Sequence, residues 1–276
     1  MKLAISNIAW DHSEEDAVAD LLVAHGVRGV EIAPTKIWPA PDQVPDDSAR
    51  EYRQYWASRN IEIVAFQSLL FGRPELEIFK TDEARRRTFD YLSQLVRLAA
   101  GLGAGVLVFG SPRNRVVGDL NPAEAMDIAL DFFHSVGEVA ARHGLCFCIE
   151  PNPAAYGCDF IRTAAEGCDL VRRVNHPAFR LHLDTGVMTM NGESYERAIE
   201  DSFEWMAHLH ISEPQLGVTG SGTSGHDRVA RQLRQLGYDR WISIEMRNGW
   251  TTPNTIAVQT SLDYVHKHYF GQVSHA

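Results

Sequence analysis

The chain has 276 residues, 45% of them hydrophobic, with a formal net charge of −10. That length suits one large domain, and strand-helix barrels commonly run near this size. The acidic balance argues against nucleic acid as a partner, because phosphate binding needs a basic surface.

The chain starts on an apolar strand, Lys2–Trp10, so no leader is expected, and no apolar run reaches the roughly 20 residues that span a bilayer. A cytoplasmic protein with no membrane partner is the expectation. A helix follows from about Ser13, as N-cap, to His25, with Glu14, Glu15 and Asp16 in its first turn. The second strand is Gly29–Ala33. A Pro-rich loop with Trp38 leads to a helix near Ser48–Arg59, and Ile61–Leu70 is the third strand. Thr81 caps a long helix to Ala100. Ala104–Gly110 is the fourth strand, and Pro122 opens a helix to His143. The later strands begin near Leu145, Phe179, Met206 and Trp241, separated by helices near Ile161–Val174, Tyr195–Trp205 and His226–Leu236. A last helix covers about Asn254–Tyr269.

Eight strands thus alternate with eight helical stretches, uninterrupted by a linker or low-complexity tract. Near-continuous apolar strands fit an α/β (β/α)8 TIM barrel, one domain over residues 1–276, better than an open sheet. A dinucleotide-binding fold would need a Gly-rich turn after the first strand, and Asn7-Ile8-Ala9-Trp10 stands there. Cys146, Cys148, Cys158 and Cys168 lack a zinc pattern, and neighbours two apart on a strand are poorly placed for a disulfide, so reduced thiols are expected.

The last four strands each end in a potential ligand: Glu150, Asp184, His210 and Glu245. Loop signals follow at once, Pro151-Asn152-Pro153, Thr185-Gly186, Ser212-Glu213-Pro214 and Arg247-Asn248-Gly249. Alternation turns Leu183, Leu209 and Ile244 outward and the four ligands inward, toward the carboxyl-terminal face where barrels carry their sites. A single such acid is more often solvated or capping; four in succession point to a cation. Three carboxylates with one imidazole suit Mn²⁺, Mg²⁺ or Co²⁺ better than a structural zinc, although Zn²⁺ stays open.

These motifs, Ile149-Glu150-Pro-Asn-Pro153, Leu183-Asp184-Thr-Gly186, His208-Leu-His210-Ile-Ser-Glu213 and Ser243-Ile-Glu245, resemble the sugar phosphate isomerase/epimerase superfamily of xylose isomerase-like TIM barrels, the ketose 3-epimerases in particular. The resemblance implies that Glu150, Asp184, His210 and Glu245 bind the metal and that Glu150 and Glu245 move the proton. The sugar-binding positions depart from the pattern. The family's His three after the ligand Asp is Val187, its Arg six after the ligand His is Leu216, and its Glu six after the first ligand Glu is Tyr156. The repair nucleases of the superfamily need further ligands that this chain lacks.

The chemistry follows from carbon acidity. Removing a proton beside a carbonyl leaves an enediolate, which a divalent ion stabilises as a Lewis acid while a carboxylate takes the proton. Returning the proton to the other face gives an epimer, and returning it to the next carbon gives an isomer. A keto-sugar or keto-polyol is the expected substrate. An inosose-dehydratase-like lyase shares the opening step, and a non-catalytic sugar-binding barrel or subunit is the alternative of another class. Association through the outer helices, as a homo-oligomer, is left open.

Further candidates for substrate contact are weighed against blander roles. Glu31 is placed to meet a sugar hydroxyl. Arg247, Arg113 and Arg115 are clamps for an anionic group or exposed ion pairs. Glu213 orients His210 or is a loop charge. His226 follows the Gly/Ser-rich run 217–225, read as a mobile lid rather than a phosphate nest. Tyr156, with Trp10, Trp38, Phe71 and Trp250, offers rings to a sugar. His182 and His208 lie one layer deeper and read as hydrogen-bonded core residues.

Overall fold

The computed structural model describes residues 1–271. Its eight strands are β1 (Lys2–Ser6), β2 (Gly29–Ile32), β3 (Glu62–Phe66), β4 (Val106–Phe109), β5 (Cys146–Ile149), β6 (Phe179–Asp184), β7 (Met206–Ser212) and β8 (Trp241–Glu245). They pair in parallel and in chain order, and β8 returns to β1, closing the barrel. Around it lie α1 (Glu15–Ala24), α2 (Asp46–Ala57), α3 (Asp82–Leu102), α4 (Pro122–Arg142), α5 (Ala164–Val174), α6 (Thr185–Asn191), α7 (Tyr195–Ser202), α8 (His226–Gln235) and α9 (Thr255–Phe270). This is a single-domain TIM barrel, as expected, with nine helices among the described residues rather than eight. No helix is long and apolar enough to cross a membrane.

Several boundaries move for local reasons. The first strand stops at Ser6, whose hydroxyl accepts from Ile8 N and opens a tight turn over Asn7–Ala9. Ser13 is not the first cap; instead the Glu14 carboxylate accepts from Asp11 N at 3.2 Å. Thr81 does cap α3, accepting from Ala84 N at 3.1 Å, and Pro122 opens α4. The four cysteines are free thiols.

The apolar residues form two separate cores. The larger fills the ring between strands and helices, where Phe133 of α4 packs on Phe109 and Phe179 at centroid distances of 5.8 and 4.9 Å. Burying such a ring stabilises by roughly 1.5–3 kcal/mol. Inside the barrel lies a small cluster, Ala4, Val64 and Ala65 with Val106 and Trp241. The rest of the upper interior is polar, which is where the ligand-tipped strands converge.

Gly29 shows how tight this inner cluster is. A Cβ there would stand 2.7 Å from Trp241 and 2.8 Å from Ala4. Gly29→Ala is expected to cost roughly 1–3 kcal/mol in urea unfolding, as overpacking does. Gly101→Ala in α3, where a Cβ meets nothing within 4 Å, should instead stabilise by roughly 0.5–1 kcal/mol. Equal effects of the two changes would refute this account.

Candidate metal centre

Glu150, Asp184, His210 and Glu245 meet at the carboxyl ends of β5 to β8, with one potential ligand atom from each lying within 4.8 Å of the others. His210 Nδ1 lies 3.2 Å from Glu245 Oε2, 3.8 Å from Glu150 Oε1 and 3.9 Å from Asp184 Oδ2. That nitrogen is buried and meets no hydrogen-bond partner among the described residues. An unpartnered imidazole nitrogen aimed at three crowded carboxylates is what a divalent cation would satisfy, and the donor set fits one.

The electrostatics agree. Burial, and then the neighbouring Glu245, push the Glu150 carboxyl up to about 8 and that of Asp184 up to about 6. Burial opposes a charge on His210, but Glu31 and Glu245 override it and hold the ring well above its ordinary value. Without a cation, protons neutralise the cluster.

Each ligand is oriented by its surroundings. Asp184 Oδ2 accepts from Ser212 Oγ at 2.6 Å, and its Oδ1 accepts from Val187 N at 2.6 Å, capping α6. Ser212 Oγ also accepts from Gly186 N at 2.9 Å. Thr185-Gly186, expected as a loop, is therefore the first turn of a helix. The legible signal was Asp184 itself, a favoured N-cap. Gly186 is required, since its Cβ would fall 2.8 Å from the Glu213 backbone. At the end of β4, Gly110 leaves open the space that Glu150 Oε2 occupies. Asn152, not foreseen, donates to the Glu150 carbonyl at 3.1 Å and to Oε2 at 3.4 Å.

Glu31 is placed differently from its expected sugar contact. It has no exposed surface, and its two oxygens lie 3.1 and 2.9 Å from His210 Nε2. Accepting from Nε2–H, Glu31 fixes the tautomer and leaves the Nδ1 lone pair toward the carboxylates. It, rather than Glu213, orients His210. Two strand irregularities, at Val30/Glu31 and Leu181/His182, set this depth.

Three more assignments change. Arg115 is fully buried and donates through Nη2 to the Glu150 carbonyl at 2.7 Å, so it is no exposed substrate clamp. Glu213 accepts from Gly220 N and Ser224 N at 3.0 Å each and from His226 Nε2 at 3.1 Å. Despite burial, His226 and these N–H groups hold its carboxyl down at about 2. The run 217–225, expected as a mobile lid, is thereby tied to Glu213 at Gly220 and Ser224. His226 is buried between Glu213 and Tyr269, 2.9 Å from the phenol oxygen, away from the cavity.

A cavity of about 210 Å³ opens above the cluster. Glu150, Asp184 and Glu245 form its floor, and Tyr156, Val187, Leu216, Glu213, Gln67 and Ser68 stand among its walls. Gln67 and Ser68 were not foreseen; Ser68 adopts a left-handed φ of 52°, strain of a kind that clusters at functional sites. No lysine or arginine is among the described residues lining it. Arg113 is exposed, and Arg247 is exposed with its guanidinium 4.1 Å over the Trp250 ring. Trp10 is buried.

The eight-stranded parallel barrel, with a cluster of two Glu, one Asp and one His able to hold a metal ion at its carboxyl face, is a TIM barrel. Residues 19–268 match the family model described as xylose isomerase-like TIM barrel, and the chain belongs to that family. It is 30% identical over 132 residues to D-psicose 3-epimerase of Ruminiclostridium cellulolyticum; the match spans 47% of this chain and 45% of that protein, less than half of either. The crystal structure of D-psicose 3-epimerase with D-tagatose from Clostridium cellulolyticum H10 superposes with a TM-score of 0.81 at 18% identity, covering 98% of this chain and 99% of that one. The 3-keto-D-glucoside 4-epimerase of E. coli gives 0.79 at 18%, covering 97% and 99%.

The carboxyl shifts give a sign for pH dependence. The unfolded chain releases these protons near 4.5 and 3.8, whereas the folded, metal-free chain keeps them to about 8 and about 6. The folded state binds more protons across that window, so its stability falls as pH rises and is lost through about 8. In chelator, the unfolding temperature should drop by roughly 5 °C or more between pH 5 and pH 8.5. Adding Mn²⁺ should recover most of the loss at the higher pH, and a flat profile in chelator would contradict the shifts.

Proposed function

We propose that the protein is a divalent-metal-dependent epimerase or isomerase of a neutral keto-sugar or keto-polyol. One observation carries this reading: Glu150 and Glu245, from β5 and β8, border a single cavity together with Asp184. When bound, a cation held by Glu150, Asp184, His210 and Glu245 would supply Lewis-acid stabilisation of the enediolate oxygen. The oxygen-rich donor set favours Mn²⁺, with Mg²⁺, Co²⁺ or Zn²⁺ as substitutes.

The chain's own groups do the rest. One of the two glutamates takes the proton beside the carbonyl and the other returns it, to the opposite face for epimerisation or to the next carbon for isomerisation. Glu31 holds His210, and Asn152 holds Glu150, so neither must reorganise during the transfer. The absence of lysine and arginine among the described lining residues supports a neutral substrate over a phosphorylated one. Tyr156 supplies a ring at the wall, and its hydroxyl is engaged by Gln215 N at 3.0 Å. Glu213 stands in the cavity wall, and Arg113 and Arg247, outside it, are proposed to touch only a longer substrate. Similarity to D-psicose 3-epimerase supports the reaction class, and the cytoplasm is its natural setting.

The test is incorporation of deuterium from D₂O into a panel of ketoses, followed by NMR with Mn²⁺ present. The wild type should exchange one carbon-bound proton, and Glu150→Gln and Glu245→Gln should each slow exchange about 10²–10⁴-fold. A conjugated enone without exchange would instead identify a dehydratase. Binding of ketoses with neither outcome would leave a sugar-binding barrel.

A further inference from the structure

One layer below the first cluster lies a second set of donors that the proposed reaction does not use. His182 has no exposed surface, and neither of its ring nitrogens meets a hydrogen-bond partner among the described residues. His208, 1% exposed, leaves Nε2 in the same condition. A buried polar atom without a partner costs about 1–3 kcal/mol, so three in one layer call for an occupant.

We propose that His182, His208 and Glu31 bind a second divalent cation inside the barrel, beside His210. One ring nitrogen from each of the three histidines lies within 4.8 Å of the others. His208 Nε2 is 3.6 Å from Glu31 Oε1, and His210 Nε2 is 2.9 Å from Glu31 Oε2. Donors around a tetrahedral ion with bonds near 2.0–2.1 Å stand roughly 3.4 Å apart, so small rotations bring this set to bonding distance. His210 Nε2 keeps its hydrogen bond to Glu31 Oε2, which leaves Glu31 Oε1 toward His208.

The two sites differ in taste. Oxygen donors dominate the upper one and suit Mn²⁺ or Mg²⁺, whereas two imidazoles and one carboxylate below suit Zn²⁺.

Zn²⁺ itself is the probe. Protein dialysed against Zn²⁺ and then against metal-free buffer should retain two equivalents per chain by elemental analysis. His182→Leu and His208→Leu should each retain one. Crystals of the wild type grown with Zn²⁺ should show two anomalous peaks at the zinc edge, an arm that needs no variant to fold. One equivalent and one peak in the wild type would overturn the proposal, leaving the layer to water. So would two equivalents in both variants. Because the readout is stoichiometry, it stands apart from turnover, and the absence of proton exchange would bear on the proposed reaction alone.

Discussion

The contact on which the upper barrel depends is the one between Glu31 and His210. A carboxylate with no exposed surface is tolerable only when hydrogen-bonded, and His210 Nε2 meets both of its oxygens. The same contact turns Nδ1 toward Glu150, Asp184 and Glu245, giving three acids that repel one another a common focus. Remove the carboxylate, and the ring has no reason to hold that tautomer or that tilt.

Around this focus, several side chains serve two structural purposes at once. Asp184 offers one oxygen to the cluster's hydroxyl neighbour and the other to the start of α6. Ser212 ties Asp184 to Gly186, joining β6, α6 and β7 at one point. Glu213 gathers the following loop onto itself through two backbone N–H groups and His226. The cluster's geometry is thus fixed by neighbours that never face the cavity.

The barrel and the four ligands were legible because both are written in short-range pattern. Apolar runs of strand length recur with turn residues after them, and alternation decides which way Asp184, His210 and Glu245 face. Depth was not legible. The irregularities at Val30/Glu31 and Leu181/His182 change register within a strand, and no local residue preference announces them. Glu31 therefore read as a contact for a sugar hydroxyl, whereas it supports His210. Arg115 and His226 failed for a related reason: a polar side chain in a connecting segment looks the same in sequence whether it reaches solvent or folds back into the protein. The helix α6 was hidden because Thr-Gly reads as a turn, although Asp184 before it was a legible cap.

The division of the interior into two unequal cores has its own consequence. Cohesion resides in the outer sleeve of aromatic and aliphatic packing, while the lumen carries charge and reactivity with only a few small apolar residues beneath. The two regions therefore answer to different forces, close packing in the sleeve and compensation of charge in the lumen.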